Sequence, residues 1–167
     1  MKWFLIVVGG LAAVHFTLMA LGRRALRRQA VQVDEDDPEM ETAVRRARDS
    51  AQDFLRRLTA PPPSQTSAAV RVTLEDEGVT EHVWLAEPRI EGDHFVGRLD
   101  NDLVQIRRWR AGDTVRVPQA ALSDWLAIDA GHLVGGFSIR LLRNRMPSAE
   151  RQRFDRSAGF VIEDTRG

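Results

Sequence analysis

Cysteine is absent from the 167-residue sequence. Its absence excludes a disulfide scaffold, a thiolate metal site, a cysteine nucleophile and a lipid anchor attached to cysteine. An excess of either charge is also missing, because 24 basic and 24 acidic residues balance. The overall charge therefore predicts no polyanionic partner such as nucleic acid. The length suffices for one domain with a substantial core and not comfortably for two.

Charged residues are also missing from the run between Trp3 and Gly22. A helix of this length, at about 1.5 Å per residue, spans the roughly 30 Å hydrocarbon layer of a bilayer. A cleaved signal peptide is the alternative, although its apolar core is usually shorter, about 7–15 residues, and its start more basic. We therefore expect residues 1–28 to be a transmembrane anchor with a basic juxtamembrane segment, and the lipid bilayer to be a partner.

The positive charges around this run predict its orientation. Four arginines follow it between residues 23 and 28, whereas only Lys2 and the amino terminus precede it. Since positive charge favours the cytoplasmic side, we expect a single-pass protein of the bacterial inner membrane with its folded domain in the cytoplasm. A periplasmic domain is the alternative.

Beyond the anchor we predict an acidic linker at residues 29–42 and a single α+β domain at residues 43–167. Apolar residues between Glu39 and Leu58 recur at helical spacing, which predicts one helix that covers a face of a sheet. Ala60 to Ala68 contains three consecutive prolines and is predicted to be a stiff linker with no helix or strand.

Short alternating segments separated by turn residues then predict antiparallel strands. We expect these strands at residues 69–74, 81–87, 94–99 and 114–117, with a further short strand at 104–109. The stretch from Leu122 to Phe137 predicts an apolar hairpin, which we place at the centre of the fold, with a bulge or close backbone approach at Gly135-Gly136. Helices are expected from Ser138 to Arg145, capped by Ser138, and from Pro147 to about Arg156. The fold class is therefore α+β, a small curved antiparallel sheet flanked by helices behind the N-terminal transmembrane helix.

Several short pieces of this domain occur in an order that carries a family resemblance. They are FLRRL at 54–58, EHVWL at 81–85, FVGRLDN at 95–101, GDTVRV at 112–117, SDW at 123–125, GGFSIR at 135–140 and the tail PSAERQRF. Together they resemble the bacterial domain-of-unknown-function family 2314, over roughly Ala43 to Phe154. The resemblance implies a shared small α+β fold and brings no established activity. The family often has a proline in the loop after Asn101, so Asp102-Leu103 implies a differently shaped loop here.

Six residues form the candidate binding surface: Glu81, His82, Trp84, Asp124, Trp125 and Arg140. The two tryptophans are expected to lie in or half in the core. Asp124 and Arg140 bracket the hairpin, and we expect them to pair and to fix its register. Removing one partner of a buried pair costs about 3–5 kcal/mol.

We predict no catalytic residue, no metal ligand set and no cofactor. His82 and His94 lie on neighbouring predicted strands and would form a metal site if they approached one another beside an acid, although strand histidines bonded within a core are commoner. A Ser-His-Asp set of Ser138, His82 and Asp124 lacks the sequence of a nucleophile elbow. The arginines around Trp109 are interpreted as a solvated face and not as a nucleic-acid site, because acidic residues dilute them.

Three functional hypotheses follow. The first is a non-enzymatic module that binds a protein or small ligand near the membrane. The second is a small hydrolase or metal-dependent enzyme that uses His82, His94, Glu81 and Asp124. The third is a toxin-neutralising or envelope-associated protein.

Overall fold

A computed structural model describes residues 37–163. Its helices are α1 (Pro38–Asp49), α2 (Ala51–Thr59), α3 (Phe137–Arg145) and α4 (Ser148–Ala158), with a 3-10 turn at Gln119–Ala121. Its strands are β1 (Gln65–Asp76), β2 (Val79–Glu91), β3 (His94–Leu99), β4 (Thr114–Pro118), β5 (Leu122–Asp129) and β6 (His132–Gly135). Within residues 37–163, no helix is both long and apolar enough to cross a membrane. The predicted anchor at residues 1–28 lies outside these residues.

The strands β1 to β6 form one antiparallel sheet in the order β4-β3-β2-β1-β5-β6. The predicted α+β class with an antiparallel sheet is confirmed for the part of the chain that the structure describes. The predicted position of the hairpin is wrong, because β1 pairs with β2 on one side and with β5 on the other. The long hairpin β1–β2 therefore occupies the centre, and β5–β6 forms one end of the sheet.

Hydrophobic clusters cover both faces of this sheet. On one face, Ala47 and Phe54 from α1 and α2 pack with Val70, Val83 and Trp125. The second cluster joins Leu126 and Ile128 of β5 to Ile139 of α3, Phe154 of α4 and Met146 between these helices. Trp125 belongs to the first cluster and Leu126 to the second. Successive residues of a strand point to opposite faces, so the two clusters lie on opposite sides of the sheet.

The single helix predicted from Glu39 to Leu58 is wrong, because the chain breaks it at Ser50 into α1 and α2. The hydroxyl of Ser50 accepts a hydrogen bond from Trp125 Nε1 at 3.0 Å, and it donates to Arg46 O at 2.8 Å. The bond between Ser50 and Trp125 joins residues that are far apart in sequence, so the helical periodicity of residues 39–58 does not indicate it. Residues 38–42, assigned above to the acidic linker, belong to α1.

Two further predictions about secondary structure are wrong. β1 begins at Gln65, inside the predicted stiff linker, because Gln65 pairs with Asp129 on β5. Residues 104–109 form no strand, since the N–H groups of Val104 and Ile106 donate to the carboxylate of Glu81 and not to a neighbouring strand. Contacts with residues distant in sequence therefore determine the secondary structure of both segments.

Candidate functional site

Asp124 is completely buried and caps the N-terminus of α3. Its carboxylate accepts hydrogen bonds from the backbone N–H groups of Trp125, Phe137 and Ser138 at 2.7, 3.1 and 2.8 Å, and from the Ser138 hydroxyl. The predicted cap by Ser138 itself is wrong, because the N-cap residue is Gly136, which has no side chain to offer. Burial raises the pKa of Asp124, and the hydrogen bonds from Ser138, Trp125 and Phe137 oppose that rise.

Arg140 does not pair with Asp124, so that prediction is wrong. Its guanidinium donates to the backbone carbonyls of Gly135 at 2.9 Å, Leu133 at 2.6 Å and Glu163 at 2.6 Å. The physical reason is that amide and hydroxyl donors already fill the acceptor sites of Asp124. Arg140 therefore ties α3 to β6 and to the chain that follows α4.

Gly135 brings the backbone close to Trp125, as the sequence predicts. Gly135 has φ +70°, and a Cβ built there would lie 2.8 Å from Trp125 Cε3 and nearer still to its carbonyl oxygen. Trp125 is itself only 2% exposed, and its ring stacks on Phe54 with centroids 5.2 Å apart. It belongs to the core and presents no binding surface.

Glu81 binds the backbone of the loop that precedes β4. Its carboxylate accepts the backbone N–H groups of Val104 at 2.8 Å and Ile106 at 2.7 Å, and also that of Gln105. Burial acts to raise its pKa, but these three bonds and the charge of Arg107 outweigh it, and the pKa of Glu81 lies below its usual value. The carboxylate therefore holds the loop before β4.

His82 and Trp84 share a face of β2, as predicted, and meet residues that sequence reasoning did not select. Thr73 lies opposite His82, while Arg71 lies between Trp84 on β2 and Asp124 on β5. Ser123 lies at the irregularity where the β1–β5 register shifts between Arg71 and Val72. The Nδ1 atom of His82 is 3.3 Å from both Thr73 Oγ1 and Ser123 Oγ.

A second arginine approaches this point from α1. Arg48 Nε donates to Leu122 O at 3.0 Å, directly beside Ser123. We call Arg48, Arg71, Thr73, His82 and Ser123 the Arg71 cluster. Desolvation lowers the pKa of His82 to about 4, with further contributions from the positive charges of Arg71 and Arg48. His82 is exposed overall, and its imidazole is neutral at pH 7.

The Arg71 guanidinium is the unusual member of the cluster. The residue is partly buried, and within residues 37–163 its guanidinium makes no hydrogen bond and no ion pair, so its nitrogens remain open to solvent. Burial lowers the pKa of Arg71, and the charge of Asp124 partly opposes this. Its signal in the sequence is a charge in the middle of the alternating segment AVRVT, but only the strand register shows what surrounds it.

His82 and His94 do not approach one another. His82 pairs with Thr73, whereas His94 pairs with Glu91, nine residues further along β2. At about 3.3 Å per residue the two histidines are roughly 30 Å apart. Among residues 37–163 no group of three or more histidine, aspartate or glutamate side chains is placed to hold a metal ion. His82, His94, Glu81 and Asp124 therefore do not converge.

A shallow cleft of about 680 Å³ lies between α1 and α3. Thr42, Arg46, Phe137, Arg140 and Asn144 are among its lining residues. It contains Arg140 from the predicted binding surface, whose guanidinium is already committed to three carbonyls. Arg140 is therefore not free to bind a ligand in this cleft.

These features define the class of the protein, a small α+β domain with a six-stranded antiparallel sheet between helices and an arginine-centred polar site on one strand face. The family model described as "Uncharacterized protein conserved in bacteria (DUF2314)" matches residues 37–162. The chain belongs to this bacterial family, which confirms the resemblance found in the sequence.

Two curated relatives show how the domain occurs elsewhere. A Neisseria meningitidis serogroup B protein named as an ankyrin repeat protein is 31% identical over 90 residues, which are 54% of this chain and 36% of the relative. The chain thus spans about a third of that relative's length. The uncharacterised protein YegJ of Escherichia coli K12 is 25% identical over 115 residues, which are 69% of this chain and 74% of the relative. No solved structure matches the chain.

Proposed function

We propose that this protein is a non-enzymatic binding module, held beside a membrane, that holds a protein or small ligand at the Arg71 cluster. The observation that carries the proposal is the Arg71 guanidinium, which is partly buried among Thr73, His82 and Ser123 and makes no hydrogen bond within residues 37–163. Because no side-chain nitrogen or oxygen of these residues is both buried and without a partner, the Arg71 guanidinium is open to solvent and accessible to a ligand.

The chemistry of the cluster suits binding better than turnover. A general base works best with a pKa near the operating pH, whereas the pKa of His82 is about 4. The nearest buried acid, Asp124, turns its carboxylate to the N-terminus of α3 and not to His82. What the cluster offers is the guanidinium of Arg71 and the terminal nitrogens of Arg48, because the buried hydroxyl of Ser123 already donates to Arg71 O at 3.2 Å.

The relatives support a module that is used in more than one setting. The match covers only 36% of the relative named for ankyrin repeats, so a similar domain there forms part of a longer chain. In YegJ it covers 74% of the length. A domain that occurs in both settings is well suited to a binding role.

For the membrane part of the proposal, the support is the uncharged run from Trp3 to Gly22 and the four arginines that follow it. A reporter enzyme fused after Gly167 tests the orientation: activity of a cytoplasmic reporter agrees with the proposal, and activity of a periplasmic reporter contradicts it. Resistance of the full chain to extraction from membranes by alkaline carbonate is expected of an anchored protein.

The binding role is tested by capture experiments with the full chain in neutral detergent. We compare the unchanged chain with Arg71→Gln and with Arg116→Gln, a matched control at an exposed position of β4. Species retained by the unchanged chain and by the control but lost from Arg71→Gln are expected. Equal retention by all three chains would refute the role of the cluster.

A further inference from the structure

We infer that the cleft between α1 and α3 binds a small apolar carboxylate, with its carboxylate group at Arg46 and its apolar part against Phe137 and Leu141. A carboxylate that carries an aromatic ring or a short aliphatic chain has this chemistry. The site is separate from the Arg71 cluster and does not depend on the binding role proposed there.

The cleft has the size and the mixed lining of a small-molecule site. Its volume of about 680 Å³ lies within the roughly 300–1,000 Å³ that such sites occupy. Its lining residues are 38, 39, 42, 43 and 46 on α1 and 137, 140, 141 and 144 on α3. Residues three and four positions apart share one side of a helix, so each helix presents one continuous side to the cleft.

Contacts at both ends hold the two helices antiparallel. At the start of α1, Glu39 accepts a hydrogen bond at 3.1 Å from Arg145 at the end of α3. At the other end, Trp125 donates to Ser50, which follows α1, and its ring meets that of Phe137 with centroids 6.1 Å apart. The protein's own contacts therefore fix the walls of the cleft, and little further order is imposed when a ligand binds.

The charges in the cleft favour an anion. Its two carboxylates already have partners, because Glu39 is bound by Arg145 and Glu163 Oε1 lies 3.1 Å from His132 Nδ1. The side chain of Arg46, in contrast, forms no hydrogen bond and no ion pair within residues 37–163, and it is exposed. Arg46 therefore reaches a ligand without breaking a contact of the protein. A guanidinium group binds a carboxylate through two parallel N–H···O bonds.

The other lining residues favour an apolar part in the ligand. Phe137 and Leu141 lie one turn apart on α3, half-buried, and Pro38 and Ala43 line the cleft from α1. Because the helices are antiparallel, Arg46 near the end of α1 lies towards the Phe137 end of the cleft. A bare anion at Arg46 leaves the apolar surface in water, whereas an attached ring or chain covers it and gains free energy in proportion to the area buried.

The test uses the full chain in neutral detergent near neutral pH, with benzoate as the probe. Acetate supplies the carboxylate without the ring, and benzyl alcohol supplies the ring without the charge. Arg46→Gln removes the proposed partner of the carboxylate, Leu141→Ala removes part of the apolar wall, and Arg153→Gln is the matched control at an exposed position of α4. Isothermal titration calorimetry gives the affinities, and thermal unfolding shows that each variant is folded. The indole N–H signal of Trp125 in NMR spectra reports on the Phe137 end of the cleft.

We expect benzoate to bind more tightly than acetate or benzyl alcohol and to shift the Trp125 signal. Arg46→Gln should lower the benzoate affinity roughly three- to tenfold, since a hydrogen-bonded but exposed charge pair is lost. The same variant should leave the affinity for benzyl alcohol unchanged. Leu141→Ala should weaken benzoate and benzyl alcohol alike. Arg153→Gln and Arg71→Gln should bind benzoate as the unchanged chain does.

Three results would overturn the inference. One is the same benzoate affinity for Arg46→Gln and Arg153→Gln. Another is benzoate binding no tighter than that of acetate, which would mean that the apolar wall is not used. The third is a loss of benzoate binding in Arg71→Gln with none in Arg46→Gln, which would assign the ligand to the Arg71 cluster. Capture experiments that find no role for Arg71 leave all these expectations unchanged, so failures of the two proposals are distinguishable.

Discussion

Asp124 and Ser138 are separated by 14 positions in sequence, yet the carboxylate of Asp124 accepts both the backbone N–H and the hydroxyl of Ser138. The start of a helix normally takes its cap from its own N-cap residue. Here the cap comes from a strand, so the position of α3 is fixed relative to the sheet. We expect the fold to depend strongly on this carboxylate.

Replacing Asp124 with alanine should cost about 3–5 kcal/mol of unfolding free energy, since each buried donor left without an acceptor costs about 1–3 kcal/mol. Urea unfolding of the full chain measures the loss. Ser138→Ala should cost only about 1 kcal/mol, because the backbone bonds remain. Asp49→Asn is the control at an exposed position, and a loss for Asp124→Ala no larger than that of Asp49→Asn would rule out the capping role.

Gly135→Ala should destabilise the protein far more than Gly131→Ala. Both glycines have positive φ, at +70° and +79°, and each alanine should therefore cost about 1–2 kcal/mol in backbone strain. Only at Gly135 does the new Cβ also collide with Trp125, whereas nothing lies within 4 Å at Gly131. Chemical denaturation of both variants provides the comparison, and equal losses would contradict the close approach.

His82 should make stability depend on pH. Its folded pKa is about 4, against about 6.5 in the unfolded chain, so between these values the unfolded state binds the extra proton. The unfolding free energy should therefore rise with pH from about 4 to 6.5 and level off above. The His82→Gln variant should show a flatter curve over this range in urea titrations at several pH values. An unchanged slope would mean that His82 is not desolvated.

Asp37 and Arg145 should make the start of α1 sensitive to acid. The Arg145 side chain, together with the N–H groups of Glu39 and Met40, lowers the pKa of Asp37 from 3.8 to about 2 despite some opposing burial. This contribution is complete above pH 3.8 and disappears as pH falls through about 2. The protection of the Met40 amide against hydrogen exchange, relative to an unfolded chain at the same pH, should fall in that range, and Arg145→Gln should show the lower protection already near neutral pH. Identical exchange in both chains would exclude the contact.

Glu81→Gln should loosen the loop before β4. The amide keeps one acceptor and places a donor towards the N–H groups of Val104 to Ile106, so we expect a loss of about 1 kcal/mol at this partly exposed group. Faster hydrogen exchange confined to these amides would locate the effect. Glu77→Gln, in the exposed turn between β1 and β2, provides the control and should leave them unchanged.

Periodicity in the sequence was sufficient for most of the elements and for the faces of β2. The alternation of EHVWL correctly separated Val83 and Leu85 from His82 and Trp84, because two-residue periodicity is a local property. The family resemblance was likewise carried by contiguous residues. The break at Ser50 and the early start of β1 escaped prediction, since each depends on a partner on β5.

The site was less accessible to sequence reasoning than the fold. Asp124 and Arg140 stand out in the sequence, but each bonds to backbone groups that the sequence does not display. Arg71 was missed because its environment is created by the register between β1, β2 and β5. Side chains whose partners are backbone atoms or cross-strand neighbours are the ones that a single sequence conceals.

The bonds of Arg140 also affect how the sheet meets other molecules. On β6, Leu133 N–H donates to Val161 O, and the carbonyls of Leu133 and Gly135 accept from Arg140, so the outward polar groups of that end strand are occupied. A free row of such groups would invite a strand from another chain and lead to aggregation. Arg140 and Val161 therefore protect this end of the sheet against pairing with a strand of another chain.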